Sequence, residues 1–179
     1  MYSKELGEIL KKRHSVRNYT GAPVPVEALE QILNAGMMGP SGKAIYPWEL
    51  IVVRDKQKLI DLSGCRMGGA ARMLAGADVA IAVVAGEQLS DTWIEDSSIV
   101  MENMHLMASA LGVGSCWIQG RGRTAINGDA TEDYVRAILQ YPSEYRLEAI
   151  LSLGMPEKDE TVGKSPDQLP FFKVHLNKY

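Results

Sequence analysis

The sequence predicts an α+β sandwich, a central mixed β-sheet flanked by helices, in one domain spanning residues 1–179. Three observations carry this prediction. Short apolar, β-branched runs such as WELIVVR, DVAIAVVA and SCWIQ are separated by stretches with helical periodicity. One long helical stretch, residues 91–111, is apolar around most of its girth. The elements run α, α, β, α, α, β, α, β, α, β and then a tail, which is not a simple βαβ repeat. A chain of 179 residues is long enough to bury a core without disulfides or metal.

Each element has a local cause. Leu6, Ile9 and Leu10 recur at helical spacing and predict an amphipathic helix over 3–13. Thr20-Gly21-Ala22-Pro23 is a loop, and Pro25 suits the first turn of a second helix, with Glu27 near its positive end. Leu29, Ile32 and Leu33 form its buried face, and Gly36 to Gly42 end it. A strand follows over 48–54, and Asp55 caps a helix over 56–63. Gly64 to Gly69 break the chain, and a short helix is expected over 70–75. The run 78–85 has the continuous apolar character of a strand covered on both faces. Thr92 and Glu95 offer a capping box for the long helix, and Gly112 stops it. Strands over 115–119 and 146–153 bracket a helix over 131–140, and a polar tail begins at 157.

Composition excludes several classes. The net charge is −3, which disfavours a general nucleic-acid binder. Positive charge is concentrated locally: residues 1–17 hold five basic and two acidic residues, while the remainder is acidic on balance. Such a patch suits one small anion. Cys65 and Cys116 make no disulfide framework, and three scattered histidines argue against structural zinc. No apolar run approaches a membrane span, and the opening residues lack the core of a signal peptide. A cytoplasmic protein without membrane or nucleic-acid partners is the expectation.

Hydrolase motifs are absent, with no GxSxG and no HExxH. Gly112-Val113-Gly114-Ser115 joins a helix to a strand, the reverse of the dinucleotide-binding order, and Gly64 to Gly69 lacks the P-loop ending. Three stretches remain. KKRHSVRNYTG places Arg13, His14, Ser15 and Arg17 at a helix end. They form either a phosphate cradle or solvated charges at a helix C-terminus, where cations are favoured anyway. GPSGKAIYPWEL is either a loop pressed on a flat ligand, with Gly42 permitting the approach, or a loop with a Trp anchor. GVGSCWIQGRG ends a strand at Gln119-Gly120, either at a sheet edge that takes ligands or in a plain exit loop.

In this order, RHSVR, then PSG followed by PW, then GVGSCWIQG after a long buried helix, the chain resembles the nitroreductase family of flavoenzymes over nearly its whole length. The resemblance implies an α+β homodimer holding FMN at the interface, with the long helix in that interface. It maps the flavin phosphate and ribityl chain to Arg13, His14, Ser15 and Arg17, and a contact from the partner subunit to Pro40, Ser41 and Gly42. It maps the ring near N5 to Gln119 and Gly120, the N1/O2 side to Arg72, and a further phosphate contact in the tail to Lys164. A guanidinium on the N1/O2 side favours the reduced cofactor. The implied reaction moves a hydride from NADH or NADPH through FMN to a small acceptor such as a nitroaromatic or quinone. The cofactor carries that chemistry, so no catalytic side chain is required.

Departures bear on this. The family usually places Asn and Gln where Ala44 and Tyr46 stand, and a second tail cation where Pro166 stands. The chain lacks the inserted helices that roof longer members. Alternatives are a flavin-binding or storage protein without turnover, or a reductive dehalogenase-like flavoenzyme. Cys116 is expected to be a buried, inert thiol, while Arg66 beside Cys65 raises the option of a lowered thiol pKa. His105 is expected to be a hydrogen-bonded interior or interface histidine. Arg121 and Arg123 face either an anion or solvent.

Overall fold

The computed structural model describes residues 2–158 and 168–179, with side chains from Glu5 onward. Five helices, α1 (Tyr2–Lys12), α2 (Val26–Met37), α3 (Lys56–Leu62), α4 (Trp93–Ala110) and α5 (Thr131–Leu139), surround one sheet. Its strands are β1 (Trp48–Val53), β2 (Val79–Gly86), β3 (Gly114–Gln119) and β4 (Tyr145–Gly154). Their spatial order is β1-β2-β4-β3. The α+β class is as predicted, but the sheet is antiparallel at every described pairing rather than mixed. The expected helix over 70–75 is a pair of short 3-10 turns, Met67–Gly69 and Arg72–Gly76.

The sheet separates two cores. Along β2, Ala80, Ala82 and Val84 face one core with Leu59, Leu62, Leu74 and Val135 from α3, α5 and the 3-10 turn. Val79, Ile81, Val83 and Ala85 face the other, against Leu29 and Ile32 of α2 and Val100, Met101 and Met104 of α4. Every residue of β2 is buried, as a strand covered on both faces requires. At roughly 25 cal/mol per Å² of apolar surface, burial on both sides makes β2 the centre of the hydrophobic stabilisation.

One irregularity shapes the functional end of the sheet. Val83 pairs with Ala149 but Val84 pairs with Leu147, so Glu148 is an extra residue in β4. This β-bulge reverses the side-chain parity. Leu147 therefore joins the α3/α5 core although Ala149, Leu151 and Leu153 face α4.

Two local expectations hold and one does not. Asp55 caps α3 through its carboxylate, which accepts from Lys58 N at 2.8 Å. Gly112 ends the long helix with φ +71°, a left-handed conformation suited to glycine. Thr92 precedes α4 but makes no side-chain cap, so the capping box with Glu95 does not form. Its hydroxyl is drawn instead to the buried Asp96 carboxylate one turn on, at 3.3 Å. Among the described residues, no helix is long and apolar enough to cross a membrane.

Candidate functional site

The basic stretch after α1 forms the lip of a groove. Its backbone is sewn down at both ends. Val16 N–H donates to Ser115 O of β3 at 2.9 Å, Tyr19 pairs with Pro156, and Glu157 N–H donates to Asn18 O at 3.2 Å. The Tyr19 hydroxyl reaches Val16 O and Ser152 Oγ at 3.0 and 2.8 Å. A lip held by its main chain leaves its side chains free for other work.

Those side chains line a cleft of about 330 Å3 with Arg72 and Lys158. His14, Ser15 and Arg17 stand on one wall, with Glu157 the single carboxylate among the lining residues. A second cleft of about 230 Å3 adjoins it, sharing His14, Val16 and Lys158. His14 and Arg17 bond to local carbonyls, Lys12 O at 2.9 Å and Ser15 O at 3.3 Å. Among the described residues neither is paired with a carboxylate, so the groove suits an anion.

The other expected residues lie elsewhere. Arg13 turns away from the cleft and bonds His105 Nε2 on α4 at 2.8 Å. Lys164 lies outside the described residues. Pro40, Ser41 and Gly42 are anchored on α4: Ser41 Oγ and Gly42 N donate to the two Asp96 oxygens at 2.7 and 3.1 Å. A Cβ on Gly42 would strike the Thr92 side chain, so its smallness serves packing within the chain. Lys43, Ala44 and Tyr46 all have positive φ, a strained conformation for residues with a Cβ. Trp48 is buried and anchors this loop, with Tyr46 edge-on to it at 5.4 Å.

At the end of β3, Gln119 is fixed from four directions. Its amide nitrogen donates to Glu148 O and Oε1, each at 3.1 Å, and its amide oxygen accepts from Trp117 Nε1 at 2.9 Å. Its backbone carbonyl accepts from Arg66 Nη1 at 2.7 Å. The Gly120 N–H is already donated to Glu148 O at 3.0 Å. Arg121 pairs with the buried Glu148 carboxylate at 2.8 Å rather than with solvent alone.

Arg66, Glu148, Asp96 and Lys158 were not among the predicted site residues. Glu148 had a visible signal, an acid inside the apolar run Leu147–Leu151, whereas Asp96 stands beside Glu95 in the first turn of α4. Arg66 had none, because its partner is Gln119, distant in sequence. The thiols are both buried and free. Burial pushes Cys65 up to about 12, outweighing the opposite pull of Arg66, so a lowered pKa is overturned. Burial raises Cys116 as well.

The fold and groove together define an antiparallel α+β protein with a basic lip beside a strand end held by side-chain hydrogen bonds. Comparison with known proteins makes the class specific. The nitroreductase family model matches residues 10–72 and 64–155. An FMN-dependent nitroreductase structure from Clostridium difficile R20291 is 42% identical, with a TM-score of 0.91, over 96% of this chain and 99% of that one. An Archaeoglobus fulgidus protein, provisionally named NADH dehydrogenase/NAD(P)H nitroreductase, is 31% identical over 98% of this chain and 99% of its own. Rat iodotyrosine deiodinase 1 is 40% identical, but over only 31% of this chain and 19% of its own. The chain belongs to the nitroreductase family.

Proposed function

We propose that the protein is an FMN-dependent oxidoreductase that takes a hydride from NADH or NADPH and passes electrons to a small acceptor. Nitroaromatics and quinones are the candidate acceptors. The observation that supports this most is the groove itself, where His14, Ser15, Arg17, Arg72 and Lys158 face one carboxylate, Glu157. A phosphate monoester carries up to two negative charges near neutral pH, and such a lining answers them with hydrogen-bond donors and cations. When bound, FMN supplies the hydride chemistry. The chain binds and orients it. Ser15, His14 and Arg17 serve the phosphate end, and Arg72 the ring edge. Gln119, held by Arg66, and Gly120 serve the strand-end contact with the ring.

The proposed working unit is a homodimer, with Pro40, Ser41 and Gly42 reaching the partner's cofactor. Its support is apolar surface without a partner in one chain. Leu6 and Leu10 on α1 are half exposed, as is Met37 at the end of α2, and Phe171, Phe172 and Leu176 in the tail are largely exposed. Exposed large apolar side chains are the raw material of an association surface.

The test is FMN titration of the wild type and of Arg17→Ala combined with Arg72→Ala, followed by light scattering for oligomeric state. Saturable one-per-chain FMN binding by a dimer, lost in the double variant, is the expected result. Binding that survives both substitutions would remove the groove from the account. Binding without reduction by NADH or NADPH would favour a storage protein.

A further inference from the structure

The larger cleft at the lip contains a group that a bare anion does not call for. Arg17, Arg72 and Lys158 line it, and so does Glu157. Elsewhere Glu132 closes on Arg136 at 2.7 Å and Glu148 on Arg121 at 2.8 Å. Among the described residues, the Glu157 carboxylate makes no ion pair and no hydrogen bond, although three cations line the same cleft. Its place is set by the main chain, because its N–H donates to Asn18 O at 3.2 Å. The Asn18 side chain lines the cleft too and is likewise unbonded among the described residues. The adjoining cleft shares His14 and Lys158 but has no carboxylate among its described lining residues.

An ionised carboxylate accepts hydrogen bonds and donates none. Beside a phosphate dianion, which has no proton to give, it repels. Beside a hydroxyl it accepts a charge-assisted bond, one of the stronger kinds of hydrogen bond. Cations together with one uncommitted carboxylate therefore favour a ligand that carries its anion and its O–H donors side by side. The ribityl phosphate of FMN is of that kind, with hydroxyls on the carbons that lead to the phosphate.

We propose that Glu157 is a specificity-determining residue of the groove: it accepts from ligand hydroxyls beside the phosphate, so the site selects polyol phosphates over phosphates without hydroxyls. Asn18, whose amide both donates and accepts, serves the same hydroxyls. The inference rests on the FMN reading above for the identity of the polyol.

The test measures, by calorimetry, affinities for FMN and for an FMN analogue whose ribityl hydroxyls are replaced by hydrogen. The proteins are the wild type, Glu157→Ala and Glu157→Gln. Glu157 is exposed and both variants keep the N–H that bonds Asn18, so the fold is retained. Glu157→Ala should weaken FMN binding about fivefold and tighten the analogue about twofold, with both effects moderated by solvent in an open groove. Glu157→Gln keeps an acceptor and loses the charge. FMN affinity should then stay within about twofold, while the analogue tightens as it does in Glu157→Ala. Opposite signs for the two ligands in Glu157→Ala are the signature of hydroxyl recognition. If both ligands tighten, Glu157 is only a repelling charge, and if neither changes it is a bystander; each result overturns the inference.

Ribitol 5-phosphate and methyl phosphate separate this inference from the flavin reading. If the wild type takes up no FMN, the flavin reading fails by itself. Ribitol 5-phosphate should still bind more tightly than methyl phosphate, and Glu157→Ala should abolish the preference. No preference, or one that survives Glu157→Ala, overturns the inference as well.

Discussion

The lip at 13–18 and the loop at 40–46 are both short polar segments packed near α4, yet they spend their polar groups in opposite ways. The lip is fixed by main-chain bonds to β3 and to the chain beyond β4, so its His14 and Arg17 side chains remain in the groove. The loop turns its polar groups inward. Ser41, Gly42 and Thr92 converge on the one buried carboxylate of Asp96. The same loop carries three non-glycine residues at positive φ. A segment held by its backbone can offer charge to a ligand. A segment held by its side chains has committed them to its own shape.

The comparison breaks first at Asp96. Asp96→Ala leaves the Ser41 hydroxyl and Gly42 N–H without their acceptor, and should cost about 2–4 kcal/mol of stability. Chemical denaturation with an unchanged m-value would check it. Arg17→Ala, by contrast, should leave the unfolding midpoint almost unmoved.

A second prediction concerns pH. His105 is neutral in the fold with a pKa near 4, against an ordinary 6.5 when unfolded. Between these values the unfolded chain binds the extra proton, so stability falls as pH drops from about 6.5 toward 4. The loss from this group is on the order of 3 kcal/mol and ends once the folded ring is protonated. The charges of Arg13 and His14 bear on it, and Glu102 pairs with Arg13. His105→Gln should flatten that part of the pH–stability curve, which denaturation at stepped pH would show.

On the lip, Arg17→Ala and Arg72→Ala should each weaken FMN binding about tenfold, near 1.4 kcal/mol, with melting temperature unchanged. The smallest expected effect is in the loop. Lys43→Gly relieves the steric cost of a Cβ at φ 55° and should stabilise by about 1 kcal/mol in thermal melts. Its exposed, 3.8 Å pair with Asp91 contributes little that this change would lose.

Much of this architecture is legible from local pattern. The fully buried run of β2, the Asp55 cap, the Gly112 stop and the interior role of His105 each follow from residues close in sequence. Strand direction does not, because an apolar run looks the same in parallel and antiparallel pairing. The bulge at Glu148 exists only relative to the register of β2. Thr92 reads as a cap until a buried carboxylate one turn away competes for its hydroxyl. In the site, His14, Ser15, Arg17 and Arg72 line one cleft, while Arg13 faces α4. The Arg66 grip on Gln119 joins residues far apart in the chain, and no local spacing signals it.

The most direct measurement is the absorption spectrum of the FMN-loaded protein under anaerobic conditions, before and after NADH or NADPH and again after a quinone or nitroaromatic. The account predicts flavin bands that bleach with the nicotinamide and return with the acceptor. A protein that takes up no FMN, or whose bound flavin stays oxidised with both nicotinamides, would contradict it.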